Sequence, residues 1–290
     1  MVEKIDELKK IQECIENNNN FLLSGGAGSG KTYSLVQTIN FIKENYNNKA
    51  IACITYTNVA VNEIKNRVVD NRNLKVSTIH DFLWENIKHF QKELRKCIVE
   101  LINEEQIKFK DENIQENYFD SMDIQYKEYL DIKNGIISHD EVILISNKMY
   151  NEYKVLCDIL KDKYDFILVD EYQDTNKFVI EILLDCLKKS SKKSIIGFFG
   201  DSMQSIYNDG VGDLKNYIEN GEIIEIQKKQ NRRNPLKVIE LANKIRTDGL
   251  IQEPSEDIEA PNMEKGRVKL GEIKFIYSEN FIEYEELKVN

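Results

Sequence analysis

No Cys-x-x-Cys pair, no apolar run long enough to span a membrane and only three histidines occur in this chain of 290 residues. Each absence removes a class. Five scattered cysteines (Cys14, Cys53, Cys97, Cys157, Cys186), an odd count, point to reduced thiols rather than a disulfide framework. His80, His89 and His139 cannot join them in a Cys/His metal cage at the usual spacings. The polar opening MVEKIDELKK has no signal-peptide core. Excess basic charge is missing too, with 40 Lys+Arg against 50 Asp+Glu and a formal charge of −10. That excludes a surface gripping nucleic acid everywhere but leaves room for a local basic channel. The expectation is a soluble, cytoplasmic protein without a membrane partner.

What is present fits a globular α/β protein. Hydrophobic residues make up 41% and charged residues 31%, enough apolar content for a packed core. Short apolar runs read as strands at Phe21–Ser24, Ala50–Ile54, Leu74–Ser77, Phe166–Val169, Ser194–Phe199 and Glu222–Ile226. Helical spacing recurs between them, for example Leu35, Val36, Ile39 and Ile42, and a helix is expected from Pro235 to about Ile245. Buried strands alternating with helices imply a parallel sheet covered on both faces. One more apolar segment runs from Val268 to Tyr277.

The alternation breaks between about Trp84 and Ser138. Trp84, Ile87, Phe90, Leu94, Cys97, Ile98 and Leu101 mark one expected amphipathic helix. A tyrosine-rich acidic stretch follows, with nine acids against three lysines in residues 104–131, which reads as a solvated face of an inserted helical subdomain.

Two motifs carry chemistry. Gly25-Gly26-Ala27-Gly28-Ser29-Gly30-Lys31-Thr32 fits G-x-x-x-x-G-K-[ST] between a strand and a helix. Its backbone N–H groups can curl around phosphates at a helix N-terminus, Lys31 can reach the β- and γ-phosphates, and the Thr32 hydroxyl can ligate Mg²⁺. The apolar strand Phe166–Val169 ends in Asp170-Glu171. Asp170 suits Mg²⁺ through its water shell, and Glu171 suits orienting and deprotonating an attacking water. Together they imply a Mg-dependent ATPase.

Further strings occur in a telling order: Ile54-Thr55-Tyr56-Thr57-Asn58, Ser77-Thr78-Ile79-His80-Asp81-Phe82, Val169-Asp170-Glu171-Tyr172-Gln173-Asp174-Thr175 and Gly200-Asp201-Ser202-Met203-Gln204-Ser205-Ile206-Tyr207. With the phosphate loop they resemble the UvrD/Rep family of superfamily 1 helicases, over about residues 8–245 apart from the acidic insertion. The resemblance implies a RecA-like ATP-binding domain (1–84 and 139–221), a helical insertion (85–138) and the truncated start of a second RecA-like domain (222–290). It implies that Gln12 reads the adenine edge, Gln204 senses the γ-phosphate, and Arg233 of Asn231-Arg232-Arg233 neutralises transition-state charge. Arg232 stands where the family has an adenine-stacking Tyr. Thr55, Tyr56, Thr57, Asn58, Thr78 and His80 are implied to contact single-stranded DNA, with Tyr56 stacking a base.

The chain departs from the family pattern twice more. Asp209, in Asn208-Asp209-Gly210-Val211, replaces a DNA-stacking Trp, and the family's later motifs do not occur before Asn290. The expected function is ATP-dependent, 3′-to-5′ DNA translocation or unwinding with ATP and Mg²⁺ as cofactors and single-stranded DNA, a nuclease or a separately supplied C-terminal half as partners. The alternative is an ATP-gated switch controlling a partner such as a nuclease.

Overall fold

A computed structural model of the chain describes residues 7–68, 72–109, 114–205 and 214–275. Six strands form the central sheet: β1 (Asn20–Gly25), β2 (Ile51–Thr55), β3 (Leu74–Thr78), β4 (Phe166–Asp170), β5 (Ile195–Gly200) and β6 (Ile223–Lys228). Their spatial order is β3-β2-β4-β5-β1-β6, and every pairing is parallel. All residues of β2, β4 and β5 are buried, as a parallel sheet covered on both faces requires. This is a RecA-like P-loop core.

Alternation along each strand divides the core in two. Phe21, Leu23, Cys53, Leu168 and Phe199 face α1 (Glu7–Glu16), α2 (Lys31–Asn45) and α3 (Asn58–Arg67). Leu22, Ile54, Ile167, Val169 and Phe198 face α4 (Ile79–Ile87), α5 (Gln91–Asn103), α6 (His139–Glu152), α7 (Lys154–Lys163) and α8 (Lys177–Leu184). The Phe21 and Phe199 rings meet edge to face at 5.7 Å. All five cysteines are buried free thiols. No helix among the described residues is long and apolar enough to cross a membrane.

The single helix expected across Trp84–Leu101 is two. α4 stops at Ile87 and α5 starts at Gln91. Gln91 stabilises the break: its Nε2 donates to Lys88 O at 2.8 Å, and its Oε1 accepts from Ile124 N at 2.8 Å. Leu83 and Ile87 of α4 and Leu94 and Ile98 of α5 still pack into one core across the break. Beyond Asn103 the described insertion is mostly turns, with a two-residue parallel pairing of Gln125–Tyr126 and Ile136–Ile137. Ile107, Phe119, Ile124 and Ile137 nevertheless join the core beneath α4 to α8, so the insertion shares the core of the sheet domain.

The strand expected at the start of a second domain pairs instead with β1, from Asn20↔Ile223 to Gly25↔Lys228. It follows the short helix α9 (Lys215–Glu219) and extends the sheet by one edge strand. After it come a pairing of Gln230–Asn231 with Glu253–Pro254, helix α10 (Leu236–Ile245) and a hairpin of Met263–Glu264 with Arg267–Val268. Of the apolar segment at 268–277, Val268 lies in that hairpin, residues 269–275 have no regular structure, and 276–277 fall outside the described residues.

Gly197 in β5 tests the packing of the sheet. A Cβ there would lie 2.4 Å from Phe21 Cζ and 2.9 Å from Leu168 Cδ2. Gly197→Ala should therefore lower stability by about 1–3 kcal/mol, seen as a lower urea midpoint at unchanged slope. A wild-type midpoint would show that the Phe21 ring has room to move.

Candidate functional site

β1 ends at Gly25 and α2 begins at Lys31, so the chain must turn sharply between them. Gly28 and Gly30 do so at φ of 85° and 84°, in the left-handed region where a side chain is strained. No side chain caps α2, which leaves its first N–H groups free to meet an anion in the loop. Lys31 is buried, and its Nζ donates to Gly25 O at 3.0 Å. Ser29 Oγ is buried without a partner, and Thr32 follows, half-buried.

Asp170 closes β4, separated from β1 only by β5. It is buried and its Oδ1 has no hydrogen-bond partner. Burial, with the neighbouring Glu171 charge added, pushes its carboxyl up to about 7, against the pull of Lys31. Glu171 turns the chain at φ 48° and ψ 51°, a left-handed conformation that disfavours an ordinary side chain by roughly 1–2 kcal/mol. Gln173 Nε2 donates to Glu171 Oε2 at 2.7 Å, while Gln173 Oε1 accepts from Asp201 N at 3.0 Å. Gln204 Nε2 in turn donates to Asp201 Oδ2 at 2.6 Å. The two acidic and glutamine motifs thus form one connected chain of hydrogen bonds.

The segment Asn231–Asn234 lies directly on the phosphate loop. Arg232 N donates to Gly28 O at 2.9 Å, and the Nδ2 atoms of Asn231 and Asn234 donate to Ala27 O at 2.8 and 3.2 Å. A Cβ at Gly28 would lie 2.8 Å from Arg233 Cβ, so glycine is needed there for approach as well as for φ. A cleft of about 660 Å³ opens beside this contact, lined in part by Gly28, Ser29, Gly30, Tyr33, Lys228 and both Arg232 and Arg233. Arg232 also forms an ion pair with Asp257. Gln12 sits half-buried on α1 and is not part of the cleft wall, which α1 reaches through Glu7.

Sequence reasoning missed several neighbours. Lys228 of β6 reaches Ser34 Oγ of α2 at 2.9 Å, and Tyr33 stands exposed at the cleft. Gln252 is buried against Gly26, where a Cβ would fall 2.4 Å from its Cδ. Arg246 pairs with Asp201. Only the G-x-x-x-x-G-K-T placement of Tyr33 and Ser34 in the first turn of α2 could have pointed to any of them.

A second recess, about 490 Å³, lies at the ends of β2 and β3 and is lined by Tyr56, Thr57, Asn58, Thr78, His80 and by Asp81, Tyr126, Lys127, Glu128 and His139. Thr57 and Thr78 are the N-caps of α3 and α4, accepting from Ala60 N and Asp81 N at 3.2 and 3.1 Å. Two helix N-termini therefore open on one groove. Thr55 is buried inside β2, paired with Thr78 across the strands, and does not line the groove. His80 stacks on His139 with ring centroids 4.5 Å apart; burial, with His139 beside it, lowers its basicity. Ile206, Tyr207 and Asn208 to Val211, including Asp209, lie outside the described residues.

Residues 9–209 match the AAA domain family. Among curated proteins, the chain is 29% identical to the Gabija protein GajB of Bacillus cereus (strain HuB5-5), over 86% of this chain and 50% of that protein. It is 28% identical to the ATP-dependent DNA helicase Rep of Buchnera aphidicola subsp. Baizongia pistaciae, over 79% of this chain and 41% of that one. The chain thus spans about half or less of the length of these relatives. The crystal structure of Bacteroides Pif1 bound to ssDNA aligns at 16% identity and a TM-score of 0.40, covering 83% of this chain and 45% of that one. With the phosphate loop and the Asp170-Glu171 strand end both inside the matched stretch, the chain belongs to the AAA domain family, as an ATP-hydrolysing P-loop domain similar to that of an ATP-dependent DNA helicase.

Proposed function

We propose that this chain is the ATP-binding part of a UvrD/Rep-type helicase, hydrolysing MgATP and coupling it to 3′-to-5′ movement on single-stranded DNA. The observation that carries it is the placement of two recesses along the same edge of one sheet. The phosphate loop and Asp170-Glu171 follow β1 and β4, and the groove with two helix N-termini follows β2 and β3. The similarity to an ATP-dependent DNA helicase supports the same reading.

In this reading the backbone from Gly25 to Thr32 and the Lys31 ammonium hold the phosphates. Gln12 and Arg232 serve the adenine. The buried, unpartnered Oδ1 of Asp170 is suited to a hard divalent cation, with the Thr32 hydroxyl as the second protein contact. Bound Mg²⁺ would supply charge neutralisation at the phosphate oxygens. Glu171, held by Gln173, orients and deprotonates the attacking water, while Gln204 and Arg233 respond to the γ-phosphate. Tyr56, Thr57, Asn58, Thr78 and His80 face DNA, and Thr55 supports them from within β2. We place the second RecA-like domain after β6, with residues 85–138 as an insertion into the first.

A second reading is favoured by one feature of the groove. Among the described residues its wall sets one lysine, Lys127, against Asp81 and Glu128, a poor balance for tracking phosphates. An ATP-gated switch that controls a partner such as a nuclease would need no strong track. Hydrolysis without strand displacement, even with a C-terminal half supplied, would select it.

Steady-state ATP turnover with and without single-stranded DNA tests the first reading. Turnover should rise with DNA and fall by roughly 10²-fold or more in Glu171→Gln; turnover indifferent to Glu171 would sink the assignment of the base. Asp170 gives a separate check with divalent cations chelated. Its carboxyl is raised from 3.8 to about 7, so the folded chain holds a proton there that the unfolded chain releases. Stability is therefore lost as pH rises through that window. Asp170→Asn should melt above wild type at pH 8, with the gap narrowing at pH 5; a gap that persists at pH 5 would show that charge burial is not its cause.

A further inference from the structure

Asp201 and Arg246 form an ion pair that no motif suggests. Asp201 follows β5 and is 1% exposed; Arg246 closes α10, and its side chain is 8% exposed. The contact is a fork: Arg246 Nη1 donates to Asp201 Oδ2 at 2.9 Å and Nη2 to Asp201 Oδ1 at 2.7 Å. Asp248 holds the guanidinium from the other side, accepting from Nε at 3.0 Å. Thr247 adds a contact to Met203 Sδ at 3.5 Å. Burial alone would raise the Asp201 carboxyl, but the bonds from Arg246 and Gln204 hold it below the ordinary carboxylate range.

We propose that Arg246 is a positioning residue for γ-phosphate sensing, acting through Asp201 on Gln204. This rests on the ATPase reading above. Both oxygens of Asp201 are fully used, by Arg246, by Gln204 Nε2 and by Met203 N at 3.2 Å, so Asp201 has little capacity left for a ligand of its own. A carboxylate only accepts, so it decides which end of the Gln204 amide faces it: the NH₂ is tied down and Oε1 is turned outward. The Asp201 backbone N–H continues the link to Gln173 and Glu171. Arg246 belongs to the segment beyond β6, the same segment that covers the phosphate loop through Asn231 and Gln252. Gln204 is therefore oriented only while α10 is docked, and undocking leaves Asp201 free to turn.

The test is the preference for MgATPγS over MgADP, measured by calorimetric titration in wild type, Gln204→Ala, Arg246→Met and the double variant, with melting temperatures alongside. Arg246→Met should lower the preference roughly tenfold. The double variant should be no worse than Gln204→Ala alone, because the two act as one unit. Arg246→Lys keeps the charge without the fork and should fall between wild type and Arg246→Met; it carries the test if Arg246→Met does not fold. An unchanged preference in these variants, or losses that multiply in the double variant, would overturn the proposal and leave the pair a structural staple. A wild-type chain that binds both nucleotides equally would overturn it too, without touching nucleotide binding itself. Wild type that binds neither would take the ATPase reading down with it.

Discussion

Asn231 is the contact on which the nucleotide cleft depends. It is fully buried, and each of its polar atoms is spoken for. Its Nδ2 caps Ala27 O of the phosphate loop, its Oδ1 accepts from Arg233 N and Asn234 N, and its carbonyl accepts from Asn262 Nδ2. A phosphate loop must turn its N–H groups inward, so its carbonyls point out and need partners of their own. Asn231 and the Arg232 backbone supply them. The same bonds place the side chains of Arg232 and Arg233 at the cleft, so the stability of the loop and the supply of its cations rest on one junction.

Strain sits at the opposite wall. Glu171 holds a left-handed backbone just after a fully buried strand, beside an Asp170 carboxylate whose burial opposes its charge. Both are unfavourable for folding alone, and both are what phosphate chemistry uses: an acidic pair fixed at a strand end, one oxygen left without a partner. The surrounding packing keeps them there. Tyr172 packs edge to face on Phe198, and Gly200 gives Gln173 and Tyr172 the space a Cβ would occupy.

Much of the scaffold was legible because its signals are local. Buried parallel strands are short apolar runs, and five of the six lie within a residue or so of where the apolar runs put them; the phosphate loop is specified by glycines whose φ values no other residue adopts easily. Less legible were features set by partners far along the chain. The break at Lys88–Phe90 depends on Gln91 meeting Ile124, and β6 belongs to the first sheet because β1 offers it an edge. Thr57 and Thr78 carry a capping role that family resemblance does not mention, and Thr55 lies buried in its strand.

The sequence by itself determined the class of chemistry: a glycine loop with Lys31-Thr32 and an apolar strand ending in Asp170-Glu171 suit phosphate and little else. The tertiary structure decided which groups stand around that chemistry. Lys228, Gln252 and Arg246 lie outside every motif the sequence offers, and they reach the site because β6 docks beside β1, the segment after it lies on the phosphate loop, and Arg246 at the end of α10 meets Asp201. Backbone turns are encoded by neighbours in the chain, whereas a cleft is built from side chains that meet only after the sheet has closed.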